Sequence, residues 1–102
     1  MRIAEVIGTV TLSSCHPSLT GYRWIIGVPF SLNALGGDRA DGEDLVILDE
    51  FGAGLGQRIG VSEGVEAAMP FYPVKKPLDA YCACVLDTVD VRLFEGAINE
   101  RE

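Results

Sequence analysis

Basic residues are scarce in this sequence. Lys and Arg together number 8 of 102 residues against 15 Asp and Glu, with a single His, so the formal charge is −7. A partner held through its phosphates requires a surplus of cations, and this chain has a deficit. Aromatic residues are few: one Trp, three Tyr and four Phe leave little for stacking nucleotide bases. Apolar runs fall far short of the roughly 20 residues of a membrane-spanning helix. Only three cysteines occur, Cys15, Cys82 and Cys84. An odd number is a poor disulfide framework, and neither CxxC nor HxxxH spacing accompanies them, so no metal site is expected. The opening residues Met1-Arg2-Ile3-Ala4-Glu5 carry an acid where a signal peptide has its apolar run, which predicts a cytoplasmic protein.

What the chain does have is a folded composition. Apolar residues make up 48% and mean hydropathy is +0.24, which excludes disorder. The length sets one domain, 1–102, with a thin core that gains from partners. The patterning is mostly period two. Ala4, Val6, Gly8, Val10 and Leu12 alternate along a first strand from Arg2 to Leu12. A second strand runs from Tyr22 to Phe30, with Trp24, Ile26, Val28 and Phe30 predicted on one face. Ser31 to Asp44 is predicted to be a mobile, solvated loop. Leu45–Leu48 is a short buried strand ending at Asp49, and Gln57–Ser62 is another with Ile59 and Val61 inward. Ser62–Met69 has the composition for one or two helical turns with Ser62 as N-cap. Asp79–Asp87 is the last clear strand. Val91–Phe94 is predicted to add a short strand or pack as a tail, and Asn99–Glu102 to fray. Five short strands, one short helix and no helical crossover predict an all-β fold, a small OB-like five-stranded β-barrel.

Candidate chemistry is thin. Gly52-Ala53-Gly54-Leu55-Gly56-Gln57 follows a strand as a phosphate loop would. A strand follows it rather than a helix, no Lys-Ser/Thr pair is present, and Asp49 and Glu50 would repel an anion. The better reading is a tight turn in which glycine supplies positive φ and lets another backbone approach. Cys15 and His16 are adjacent, so on an extended chain they point opposite ways and cannot act as a nucleophile pair. Asp49, Asp79 and Asp87 stand at strand ends, where carboxylates accept turn hydrogen bonds. No catalytic residue, cofactor or metal is therefore expected, and the chain is not read as an enzyme. An OB-like binding module for nucleic acid or another ligand is the alternative reading of the same barrel.

Four blocks of sequence, taken in order, narrow this. They are Val6-Ile7-Gly8-Thr9-Val10, the turn Ser14 to Gly21 containing His16-Pro17-Ser18-Leu19-Thr20-Gly21, the loop Asp49-Glu50-Phe51-Gly52-Ala53-Gly54-Leu55-Gly56-Gln57, and Asp79-Ala80 through Asp87. Together they resemble the bacterial microcompartment vertex proteins, the pentameric shell family that includes the ethanolamine-utilisation and carboxysome vertex proteins. The resemblance covers about residues 1–89, leaving 90–102 as a C-terminal tail. Cys15 stands where the family commonly has a basic residue, Gln57 where Glu is frequent, and Cys82 and Cys84 replace aliphatic or small residues.

The resemblance implies a structural shell protein. It implies a homopentamer that closes the five-fold vertices of a shell otherwise tiled by hexagonal (hexameric or pseudohexameric) proteins, with no nucleic-acid or membrane partner. A cyclic ring uses two unlike patches on each protomer. The expected pentamer-interface candidates are Asp49, Gly52, Ala53, Gly54, Leu55, Gly56 and Gln57. Edge contacts to hexagonal tiles are assigned to Arg23, Arg58, Lys75 or Lys76.

Overall fold

The computed structural model describes residues 1–37 and 39–92. Five strands close into a barrel: β1 (Arg2–Val10), β2 (Arg23–Pro29), β3 (Leu45–Asp49), β4 (Arg58–Glu63) and β5 (Ala80–Val85), in the order β1-β2-β3-β5-β4. Every neighbouring pair is antiparallel except β3 with β5, which run parallel. Closure pairs the long edges that a small open sheet would leave free to aggregate. Among the described residues three short helical pieces lie outside the sheet: a 3₁₀ turn at Pro17–Leu19, α1 at Leu32–Leu35 and a longer 3₁₀ segment at Gly64–Phe71.

The barrel is filled by alternate residues of each strand. Ala4 and Val6, Ile25, Ile47, Ile59 and Val61, and Cys82 meet inside, with Ala53 entering from the β3–β4 loop. Ile25, Ile47 and Ile59 are fully buried, each contributing about 1.5–3 kcal/mol of apolar transfer. A second cluster lies on the outer surface. Trp24 pairs with Leu48 and Leu48 with Tyr81 across three strands. Leu19 and Ala67 cover this row. Phe71 stands edge-on to both Tyr22 and Tyr81, with ring centroids 5.6 Å apart in each case. The 3₁₀ segment is therefore a lid on an apolar row, not a decoration of the barrel.

Several sequence expectations are corrected. In β2 the buried series is Ile25, Gly27 and Pro29, while Ile26 and Val28 are only half-buried. The phase was ambiguous because Trp24, on the opposite face, is itself covered by the 3₁₀ segment, so both faces carry apolar residues. β1 ends at Val10, and a bulge between Val6 and Gly8 breaks its alternation. Thr11 and Leu12 are exposed beyond it.

The segment after β2 is organised rather than loose. Ser31 caps α1 by accepting the Ala34 N–H. Asp41 accepts the Ser31 N–H at 2.8 Å and its hydroxyl at 2.7 Å, and the N–H groups of Asp41 and Gly42 return to the Pro29 carbonyl. Ser62 is no N-cap: it stays in β4 opposite Tyr81. The turn is made two residues later by Gly64 at φ +65°, and Glu63, in the cap position, gives its carboxylate to Arg2. Pro70 lies inside this segment, which is 3₁₀ throughout rather than α-helical. Of the expected Val91–Phe94 element, Val91 and Arg92 carry no regular structure. Leu93, Phe94 and Asn99–Glu102 lie outside the described residues.

Candidate assembly interface

The β3–β4 connection, residues 50–57, is built from its first anchor outward. Asp49 ends β3 facing inward and is 2% exposed, the one buried charged side chain among the described residues. One carboxylate oxygen accepts the Phe51 N–H at 2.9 Å; the other accepts the Ala53 N–H at 2.8 Å and pairs with the Arg23 guanidinium. A buried carboxylate without such partners would cost several kcal/mol. With them it becomes a rigid pin. Ala53 follows its N–H inward and is 1% exposed, completing the barrel core.

The far end is pinned to β1. The Gly56 N–H donates to the Val6 carbonyl at 2.8 Å and the Val6 N–H donates to the Gln57 carbonyl at 2.9 Å. Between the anchors the loop closes on itself. The Gly54 N–H donates to the Gln57 Oε1 at 2.7 Å and the Gln57 N–H to the Gly54 carbonyl at 3.1 Å. Gly52 and Gly56 sit at φ +77° and +81°, where an L side chain is strained. Gly54 has no such φ, and a Cβ there would meet only the Gln57 Oε1, at 3.7 Å. Its lack of side chain is thus not demanded by its own protomer. The rigid loop holds Phe51 and Leu55 out to solvent, 58% and 72% exposed.

The seven loop candidates therefore divide. Asp49 and Ala53 are interior and set the loop's shape; Gly52 and Gly56 turn it; Gly54, Leu55 and Gln57 form its outer end. Phe51, absent from the sequence candidates, shares the exposed surface. Its signal was a Phe between an acid and a glycine, where a core residue is not expected.

The four expected edge cations are also separated. Arg23 is committed to Asp49. The Arg58 guanidinium lies 4.9 Å above the Phe30 ring. Lys76 Nζ donates to the Ser18 carbonyl and sits 4.8 Å from the Tyr22 ring and 5.1 Å from Phe71. Lys75 is exposed and makes no hydrogen bond or ion pair among the described residues.

Elsewhere, Cys15 is exposed and its neighbour His16 turns to Ser18, accepting the Ser18 N–H at 3.1 Å through Nδ1. Cys82 is buried; burial and the nearby Asp49 carboxylate push its thiol up to about 12. Among the described residues no three His, Cys, Asp or Glu side chains are grouped to hold a metal, and no helix is long and apolar enough to cross a membrane.

A closed barrel with a braced loop that presents apolar side chains outward is built as a structural packing unit. The chain belongs to the family described as ethanolamine utilisation protein EutN/carboxysome, whose model matches residues 1–87. It is 37% identical over 93 residues to the carboxysome shell vertex protein CcmL of Thermosynechococcus vestitus, covering 87% of this chain and 86% of that one. It is 30% identical over 90 residues to the bacterial microcompartment shell vertex protein GrpN of Rhodospirillum rubrum, covering 88% and 97%. The solved structure of CcmL from Gloeobacter violaceus superposes with a TM-score of 0.77 at 31% identity, covering 89% and 90%. That of the pentameric microcompartment shell protein GrpN superposes with a TM-score of 0.76 at 29% identity, covering 90% and 100%. These relatives are shell vertex proteins, which supports the structural reading over the binding-module alternative: the role of this chain is that of a microcompartment shell vertex protein.

Proposed function

We propose that the chain acts as a homopentamer at the vertices of a microcompartment shell in the bacterial cytoplasm, with the outer end of the 50–57 loop at the seams between protomers. The observation that carries the seam assignment is Leu55, 72% exposed at the tip of a loop braced by Asp49, Val6 and Gln57. An apolar side chain held rigidly in water loses little conformational freedom when a neighbour covers it, so its burial is not offset by the cost of ordering the loop. A flat hexagonal tiling cannot close, and five-fold units supply the curvature. In a cyclic ring each protomer offers one patch to the left and an unlike one to the right, closing after five steps.

The charge distribution supports the same reading. Five copies gather five times −7, so carboxylates belong on rims and faces. The loop's one unneutralised acid, Glu50, sits at its base and accepts the Tyr81 hydroxyl at 2.8 Å. Of the four edge candidates, Lys75 alone makes no hydrogen bond, ion pair or cation–π contact among the described residues, which leaves it free for an outside partner, a hexagonal tile or a second copy. Sedimentation or native mass spectrometry of the purified chain tests the assembly: a species of five times 10.9 kDa is expected, and a stable monomer at micromolar concentration overturns it.

A further inference from the structure

A ring needs a second patch to receive the loop. We infer that the groove between the 3₁₀ segment and the proline-rich turn after it, lined by Val65, Met69, Tyr72 and Val74, is the surface on which a second copy of this chain seats the apolar end of its 50–57 loop. The inference rests on the pentamer proposed above.

The argument begins with where exposed apolar side chains occur. Val65, Met69, Tyr72 and Val74 are 84%, 55%, 77% and 56% exposed, and all four line one groove of about 530 Å³. Isolated exposed apolar residues need no explanation; a cluster of this kind marks an interface. Both surfaces are apolar. The loop is a convex knob of Phe51 and Leu55, and the groove is concave. The positions suit a ring as well. The knob is tied to β1 through Val6, whereas the groove rides on β4 and β5. The knob precedes β4 and the groove follows it, so the two patches lie beyond opposite ends of that strand, separate surfaces as head-to-tail closure requires.

Charge points the same way. The groove's rim carries Lys75, exposed and without an internal partner among the described residues. The loop's acid, Glu50, stands at its base beside Phe51. The groove lining also holds Lys76 and the Asp79 carboxylate, two cations against one acid, so in a chain of net charge −7 the acid at the loop's base meets a surface of opposite net sign.

Mixing two defective proteins tests the assignment. Leu55→Asp spoils the knob and Val74→Asp the groove. Both side chains face solvent, so each protomer should keep the wild-type circular dichroism spectrum. Each variant alone is expected to lose the pentamer and sediment as monomer. Mixed, they are expected to give a 1:1 heterodimer and nothing larger, because one intact knob still meets one intact groove. Met69→Asp, mixed with Leu55→Asp, should behave as Val74→Asp does. If the wild type is pentameric and both groove variants stay pentameric, the groove is not the acceptor. Loss of binding to a hexagonal shell protein by such an intact pentamer reassigns the groove to tile contact. Monomeric variants that form no heterodimer also overturn the inference. A wild-type protein that is not pentameric instead overturns the proposed function itself.

Discussion

The Asp49 carboxylate receives the Ala53 N–H at 2.8 Å inside the barrel wall. This bond ties an acid at the end of β3 to the residue that turns the loop back into the core. Both are buried, so the exposed part of the loop inherits the rigidity of the barrel. The carboxylate also holds the Phe51 N–H and the Arg23 guanidinium, and removing it leaves the buried Ala53 N–H without its acceptor. Asp49→Ala is expected to destabilise the protomer by about 3 kcal/mol, and Asp49→Asn by less, since the amide oxygen keeps one acceptor. Urea unfolding at fixed protein concentration measures both, because assembly makes apparent stability concentration-dependent. Equal costs for Ala and Asn would show that the carboxylate bonds are not what holds the loop.

Gly56 and Gly54 are expected to fail differently when substituted. Gly56→Val forces a β-branched side chain into the left-handed region, at a cost of about 1–2 kcal/mol to the protomer. Gly54→Val meets neither strain nor a clash within its own chain. It is expected to leave protomer unfolding unchanged while weakening the pentamer, because the added bulk matters only where a neighbour approaches. Thermal unfolding paired with sedimentation separates the two effects. A Gly54→Val protein that assembles with normal stability refutes the close approach.

Much of this was legible before the coordinates. Asp49 read as a strand-end acceptor, and that is how it bonds. Alternation placed Ala4 and Val6, and Ile59 and Val61, inside. The β2 phase was not legible, because Trp24 faces outward yet is buried by Ala67 and Phe71, which belong to a segment more than 40 residues away. Tertiary cover of that kind leaves no local trace. Nor was the order in Ser31–Asp44 visible. It depends on Asp41 returning ten residues to Ser31, a contact with no period. Loop composition pointed to the glycines, but only geometry separates Gly54 from Gly52 and Gly56.

Alkaline pH should loosen the fold through two buried groups. Burial and Asp49 hold the Cys82 thiol up at about 12, from 9.0, while burial and the Glu50 hydrogen bond hold Tyr81 at about 12, from 10.0. In both, the folded state binds its proton more tightly than the unfolded chain. Their contribution is complete below pH 9 and declines as pH rises toward about 12. Cys82→Ala should flatten the lower part of that decline. Urea midpoints across this range provide the measurement, and a midpoint that rises with alkalinity contradicts the assignment. Thiol labelling gives a second check: exposed Cys15 should react in the native protein and Cys82 only on unfolding.

Lys75 and Lys76 are adjacent in sequence and opposite in use. Lys76 turns inward, donating to Ser18 and lying over Tyr22 and Phe71. It thereby ties the β1–β2 turn to the proline-rich segment. Lys76→Met keeps the stem but loses the charge. It is expected to cost about 1 kcal/mol of protomer stability, from the cation–π contacts and the bond to Ser18. Lys75→Met should leave the protomer unchanged, since Lys75 makes no hydrogen bond, ion pair or cation–π contact among the described residues. Its effect should appear only in assembly, as altered association between copies or with hexagonal shell proteins. Unfolding curves for the two variants, run beside their sedimentation profiles, decide the matter. Should Lys75→Met destabilise the isolated protomer as much as Lys76→Met, the lysine that reaches outward is not free for a partner, and the edge contact must be sought elsewhere.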